Sequence, residues 1–260
     1  EPCISGTKGS GAVFFSGCGL RCCFCQNHDI AMGSRGRAVS VERLGEIFLE
    51  LKEKGAANIN LVTGAHYVPQ IIEALDMARR KGLDIPVVYN SSGYEKTETL
   101  KLLEGYVDIY LPDLKYLDPE LAQKFSYAPD YVQAAKAAIR EMVRQTGKCE
   151  FGEDGYIRKG TIVRHLILPG HTGNSIKALR YLHETYGEDI YISIMNQYTP
   201  VRKFVEFKEL NRKVTKREYE KVLDAAVDMG IQNGFIQEGE TASESFIPDF
   251  DYEGVEKNTP

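Results

Sequence analysis

No stretch of this 260-residue chain approaches the ~18 consecutive apolar residues that suggest a membrane span, and none is of low complexity. Its 43% hydrophobic content is enough for one large domain or two small ones with a real core. A basic surplus is also missing. The chain has 32 Lys and Arg against 37 Asp and Glu, so it lacks the electrostatic footprint of a nucleic-acid binder, and no nucleic-acid partner is expected. The acidic excess is local: Glu238, Glu240, Glu244, Asp249, Asp251, Glu253 and Glu256 are offset only by Lys257. Residues 1–237 therefore read as a near-neutral body and 238–260 as an acidic C-terminal tail, a solvated terminus. A disulfide framework is absent too, because four of the six cysteines crowd into positions 18–25. Such crowding points to metal in a reducing cytosol, and the expected location is cytoplasmic. No signal peptide is visible. The chain opens at Glu1 without a methionine, which leaves room for an upstream segment to which Cys3 would belong.

What is present is Cys18-x3-Cys22-x2-Cys25, carried out of the apolar run Gly11-Ala12-Val13-Phe14-Phe15. An iron–sulfur cubane kept for electron transfer takes four cysteines. A structural zinc site also fills all four positions, whereas a catalytic metal leaves one open. Three close thiolates with no obvious fourth would leave one iron of a 4Fe–4S cluster open to a substrate or cofactor. A zinc clip, a disulfide pair and buried structural thiols are the plainer alternatives, and the strand ahead of the loop tells against an accidental match. Cys23, Cys149, His171 and His183 read as structural.

Farther along, short apolar runs alternate with amphipathic segments. Ser40 is a predicted N-cap for a helix carrying Val41, Leu44, Ile47, Phe48 and Leu51 on one face. The runs Ile59–Val62, Ile85–Tyr89, Val107–Leu111, Thr161–Leu168 and Ile190–Gln197 read as strands, with Glu153-Asp154-Gly155 as a hairpin turn ahead of the fifth parallel one. Thr215-x-x-Glu218 is a capping box opening the last helix, which ends at Gly230. Strand then helix, six times, predicts a parallel sheet covered by helices, either an open doubly wound sheet or an incomplete barrel. No G-x-G-x-x-G follows the first strand, which weakens the dinucleotide-binding version.

The cysteine spacing, with Phe24 before the third thiol and Gln26-Asn27 after it, resembles the signature of radical S-adenosylmethionine (SAM) enzymes, in the branch containing the pyruvate formate-lyase activating enzyme. The resemblance covers Gly9 to about Tyr198 and implies a partial (β/α)6 TIM-like barrel. It also implies a 4Fe–4S cluster on Cys18, Cys22 and Cys25, with SAM chelating the open iron and Asn27 supporting both. Ligand contacts in such a barrel come from the C-terminal ends of the strands. Thr63 and Gly64 stand where the superfamily usually has a Gly-Gly-Glu-like motif, and the Glu is absent. Asn90 and Ser91 match the oxygen-bearing turn beside SAM, although a carboxylate is usual at Asn90. Asp113 and Lys115 resemble an Asp-x-Lys motif. With the Leu111 carbonyl, Asn90, Ser91 and Asp113 are the oxygens that the family implies for a monovalent cation. Arg164 matches an arginine near the SAM carboxylate and ribose, and an Arg inside an apolar strand is expensive unless it is paired. His165 points the other way on that strand and is set aside, while His66 could contact SAM or substrate. Asn196 and Gln197 would edge the adenine and the substrate.

The activity implied is one-electron cleavage of SAM to methionine and a 5′-deoxyadenosyl radical, used for hydrogen abstraction from a glycine of a glycyl radical enzyme. Modification of a small molecule or peptide, or a non-catalytic iron–sulfur or zinc protein, are the alternatives. A low-potential donor of the flavodoxin or ferredoxin type would supply the electron, and a monomer is expected.

Overall fold

The computed structural model describes residues 1–236 and 250–255. A short helix, α1 (Pro2–Ser5), precedes β1 (Gly11–Phe14), and α2 (His28–Ala31) closes the cysteine loop. Next come α3 (Val41–Glu53), β2 (Ile59–Val62), α4 (Val68–Arg80), β3 (Val87–Ser91), α5 (Thr97–Leu102) and β4 (Ile109–Pro112). Two helices, α6 (Pro119–Ser126) and α7 (Tyr131–Thr146), separate β4 from β5 (Glu150–Phe151) and β6 (Ile157–Leu166). The chain then forms α8 (Thr172–Tyr186), β7 (Tyr191–Met195), α9 (Lys216–Asp228) and β8 (Gly234–Ile236). Helix starts follow their local chemistry. The Ser40 hydroxyl accepts from Arg43 N at 3.1 Å, and Thr215 and Glu218 form the reciprocal capping box.

The strands pair in the order β1-β2-β3-β4-β6-β7-β8, all parallel, with β5 antiparallel on β6 as the hairpin signal predicts. Among the described residues the path runs from β1 to β8 without closing, giving a partial barrel whose outer face the helices cover. β8 is a parallel strand beyond the six predicted units. With only Gly234, Phe235 and Ile236 in it, no periodic signal marks it in the sequence. No helix among the described residues is long and apolar enough to cross a membrane. The predicted tail boundary and most of its acids lie outside the described residues. The described part lies against the body, with Phe250 edge-on to Phe14 at 5.3 Å and Arg43 donating to the Val255 and Gly254 carbonyls.

Alternation along each strand separates two environments. Ile59, Leu61, Tyr89 and Tyr110 face outward into a core with Phe48, Ile71 and Leu75, and Val163, Ile192 and Ile194 do the same against Leu179, Leu182 and Val222. Inward-facing Val88, Ile109, Leu111 and Ile162 meet Cys3 and Ile4 of α1 in a small apolar cluster that plugs the N-terminal end of the barrel. Beyond Leu111 and Ile162, toward the C-terminal ends, the inward positions turn polar. That change in chemistry marks the mouth as the place to look for function.

Candidate active site

The cysteine loop leaves β1 through Gly17, held at a positive φ of 94°, with its N–H on the Ile30 carbonyl at 2.9 Å. The residues between the thiols anchor the loop: Leu20, Cys23 and Phe24 are buried in the outer core, and Cys23 N donates to the Phe125 carbonyl at 2.8 Å. Cys18, Cys22 and Cys25 are left half-buried. Each of their sulfurs receives a hydrogen bond. Leu20 N reaches Cys18 Sγ at 3.4 Å, the Ser126 hydroxyl reaches Cys22 Sγ at 3.0 Å, and the Asn27 backbone serves Cys25. Burial and the neighbouring Cys22 push the Cys25 thiol up to about 11. Burial also raises Cys22, against the pull of Lys115 and Ser126. Thiols of this kind lose their protons when they ligate metal. Among the described residues no three Cys, His, Asp or Glu side chains converge closely enough for a single metal ion.

Beside this loop, the ends of β3, β4 and β6 form one polar network. An isolated parallel bridge, Asp113 with Arg164, extends the β4–β6 pairing. Arg164 Nε donates to Asp113 Oδ1 at 2.9 Å, and Nη2 donates to Asn90 Oδ1 at 2.6 Å. Lys115 Nζ donates to Asp113 Oδ2 at 2.5 Å. The three charged side chains are 19%, 14% and 17% exposed for Arg164, Asp113 and Lys115, so the network is mostly buried and keeps a small part of its surface open to solvent. Burial alone would raise the Asp113 carboxyl, but Arg164 and Lys115 outweigh it and hold the group below the usual carboxylate range. Burial likewise works to lower Lys115, and Asp113 and the Cys22 sulfur reverse it. The triad carries one net positive charge within reach of the Cys22 sulfur.

Several supports escape sequence reading. The Tyr131 hydroxyl accepts from Lys115 N at 2.9 Å, and its proton faces the Ser92 and Asp113 carbonyls at 3.0 and 2.9 Å. The Asn174 side chain clamps the same turn, accepting from Leu117 N and donating to the Lys115 carbonyl. Both residues lie in helices distant in sequence, and no local pattern signals them.

Thr63 sits at the end of β2 with φ 61°, a strained backbone for a β-branched residue, and its N–H donates to the Asn90 carbonyl at 2.9 Å. A Cβ at Gly64 would come within 2.7 Å of Ile71 Cδ1, so a larger residue there would have to push that side chain aside. Asn196 and Gln197 follow β7, and both are half-buried. One expectation is corrected. The Ser91 hydroxyl does not face the mouth: it donates to buried Glu95 at 2.7 Å and accepts from Gly93 N at 3.0 Å, on the outer side of β3. The oxygens expected to hold a monovalent cation are engaged by protein donors: Asp113 by Arg164 and Lys115, Asn90 by Arg164. His165 is buried on the outer face between the Leu114 carbonyl and the Ser175 hydroxyl, and burial drives it down to about 4. His66 is exposed, near Gly17.

A 320 Å³ hollow opens beside Cys25, lined by Gln26, Asn27, Arg202 and Phe250. A larger one of 580 Å³, among Cys3, Tyr156 and Tyr191, lies at the plugged end, away from Cys18, Cys22 and Cys25.

The family model that matches this chain is that of the radical SAM superfamily, over residues 12–182. Among curated proteins, the uncharacterised protein MJ0674 of Methanocaldococcus jannaschii is 27% identical over 224 residues, covering 84% of this chain and 62% of that protein. The pyruvate formate-lyase-activating enzyme of Clostridium pasteurianum is 27% identical over 113 residues, 42% of this chain and 46% of that enzyme. The chain spans less than two thirds of the length of these relatives. Among solved structures, the FeFe-hydrogenase maturase HydG of Carboxydothermus hydrogenoformans matches with a TM-score of 0.59 and 15% identity, covering 88% of this chain and 53% of that one. At that identity the likeness shows the fold alone.

Proposed function

Since this chain belongs to the radical SAM superfamily, we propose that it reductively cleaves SAM at a 4Fe–4S cluster held by Cys18, Cys22 and Cys25, and activates a glycyl radical enzyme. The observation that carries the cluster assignment is the three sulfurs on one anchored loop, each with a hydrogen-bond donor, from Leu20, Ser126 and Asn27. Donors aimed at sulfur are what tunes such clusters. When bound, the cluster and SAM supply the electron transfer and the radical chemistry, and the protein supplies binding, orientation and exclusion of water.

Within that division of labour, Arg164 and Lys115 attract a carboxylate, since their two charges exceed the one on Asp113. Asp113 and Asn90 aim the guanidinium by accepting from Nε and Nη2. Tyr131 and Asn174 fix the turn that carries Lys115. Thr63 and Gly64 bring backbone close to the same space, and Asn196 and Gln197 border it on β7. Residues 1–237 act as the catalytic body, and a low-potential donor of the flavodoxin or ferredoxin type delivers the electron.

The glycyl target is supported by the partial likeness to the activating enzyme and by the unclosed barrel, which leaves a side through which a loop can enter. Two measurements test the reading. Arg164→Ala is expected to weaken SAM binding by ~1.5–3 kcal/mol, the scale of a charged hydrogen bond, in a titration of the reconstituted protein; unchanged affinity overturns the role given to Arg164 on β6. Electron paramagnetic resonance on reduced mixtures with a glycyl radical enzyme from the same genome is expected to give a stable glycyl doublet. If SAM cleavage proceeds and no partner glycine becomes a radical, the target is instead a small molecule or a modified peptide.

A further inference from the structure

We propose that the Ser126 hydroxyl, its proton directed by Tyr116, sets how readily the cluster accepts its electron, by donating a hydrogen bond to the sulfur of Cys22. The inference rests on the cluster assignment proposed above and adds which side chains outside the cysteine loop govern the reduction step.

Ser126 is the last residue of α6, and Tyr127 ends that helix in a left-handed conformation, with φ 55°. The carbonyls of Phe125 and Ser126 therefore find no donor within the helix and accept from elsewhere. The cysteine loop supplies the donors. Cys23 N reaches the Phe125 carbonyl at 2.8 Å, and Arg21 N reaches the Ser126 carbonyl at 3.4 Å. These two bonds fall on either side of Cys22 and fix its sulfur against the helix end, where the Ser126 hydroxyl stands 3.0 Å away. Ser126 is only 1% exposed, so the contact is shielded from solvent.

On the other side of the serine, the Tyr116 and Ser126 hydroxyl oxygens lie 2.8 Å apart, and Tyr116 is fully buried. The sulfur decides which hydroxyl donates. A thiolate that ligates metal has no proton to give and can only accept. If Ser126 gave its proton to Tyr116, the sulfur would lose this donor, and the Tyr116 proton would have no acceptor among the described residues. With Tyr116 donating to Ser126 and Ser126 to Cys22, both buried protons are used. In such a chain each bond polarises the next, which strengthens the one that ends on sulfur.

Cys18 and Cys25 take hydrogen bonds from the backbone of Leu20 and Asn27, whereas Cys22 takes one from a side chain distant in sequence. The reduced cluster carries one more negative charge than the oxidised one. A donor aimed at a ligating sulfur stabilises that extra charge and raises the reduction potential. Reduction moves one electron from the low-potential donor to the cluster and moves no proton, so the hydroxyl keeps its hydrogen throughout.

The test is a mediated redox titration of the reconstituted protein without SAM, read by electron paramagnetic resonance of the reduced cluster. Ser126→Ala is expected to make reduction about tenfold less favourable, a fall of about 59 mV for one electron. Tyr116→Phe keeps the serine donor but loses its orientation, and the fall should be smaller, about threefold. After exchange into deuterated water, electron–nuclear double resonance should show a deuteron coupled to the cluster in the wild type that is missing in Ser126→Ala. Mere loosening of the site would admit water, which solvates the more highly charged reduced state and raises the potential. The sign therefore separates loss of the donor from loss of packing. An unchanged or raised potential in Ser126→Ala overturns the inference, as does an unchanged one in Tyr116→Phe or a deuteron coupling retained in Ser126→Ala. Should Ser126→Ala fail to hold iron, Tyr116→Phe decides alone by the same criterion. If the wild type itself loads no iron, the cluster reading fails and takes this inference with it.

Discussion

At single residues, chemistry is set by what encloses a group. Glu95 is a buried carboxyl with the Ser91 hydroxyl at 2.7 Å and the Tyr89 hydroxyl at 3.5 Å, and burial outweighs these donors to raise it from 4.5 to about 7. The folded protein therefore holds this proton more tightly than the unfolded chain. That contribution to stability is full below pH 4.5 and is lost as pH climbs toward 7. Glu95→Gln, which cannot ionise, is expected to flatten this part of the stability curve and to gain ~2–3 kcal/mol over the wild type at pH 8, measured by urea unfolding across pH. A slope unchanged in the variant would place the titration elsewhere. The thiols give a second test at this scale. Anaerobic reconstitution is expected to load about four irons and a brown chromophore that dithionite bleaches. Alanine at Cys18, Cys22 or Cys25 should abolish both, whereas Cys23→Ala and Cys149→Ala, remote from the mouth or turned into the core, should keep them. Stoichiometric zinc without iron would contradict the cluster.

Between elements, the spacing of strand ends decides whether the polar network exists at all. Gly93 carries the turn after β3 with φ 77°, and a Cβ there would stand 2.2 Å from the Asp113 carbonyl oxygen. Gly93→Ala must separate the ends of β3 and β4, and with them Asn90 from Arg164. A loss of ~2–4 kcal/mol in unfolding free energy and weaker SAM binding are expected. Gly82→Ala is the control: φ is 97° but nothing lies within 4 Å, so only the backbone penalty of ~1–2 kcal/mol should appear, with SAM binding intact. Equal losses in the two variants would show that the close approach of Gly93 is not what holds the turn.

Across the whole molecule, the open path from β1 to β8 grades stability from centre to edge. β3, β4 and β6 are flanked on both sides, whereas β8 is three residues long with Gly234 and Ile236 exposed. Native-state hydrogen exchange should show β8 amides opening locally at almost no free-energy cost, and β4 amides exchanging only through global unfolding, ~5–15 kcal/mol up. β8 protection equal to that of β4 would mean that its outer edge is covered. Phe250 on Phe14 and the Arg43 bonds to Gly254 and Val255 bring part of the acidic tail to the other edge, so the opening through which a substrate loop would enter is bordered by that tail.

The period of apolar residues and the caps determined the order of elements, because these are properties of neighbours a few positions apart in the chain. The cysteine spacing was legible for the same reason. Arg164 could be singled out from sequence because a charge in an apolar strand demands a partner, and strand parity separated it from His165. The same parity separates Asn90 from Ser91, but the polar run Asn90-Ser91-Ser92 reads as one ligand turn until packing shows that the Ser91 hydroxyl belongs to Glu95. Only the tertiary structure joined Arg164 to Asp113, 51 positions earlier, and brought Tyr131 and Asn174 onto the Lys115 turn. It alone added β8 and set the Ser126 hydroxyl against the Cys22 sulfur. Such meetings depend on how far strands stagger and which way they tilt around the axis, and the packing of the whole sheet against its helices sets those quantities, not any local stretch of the chain.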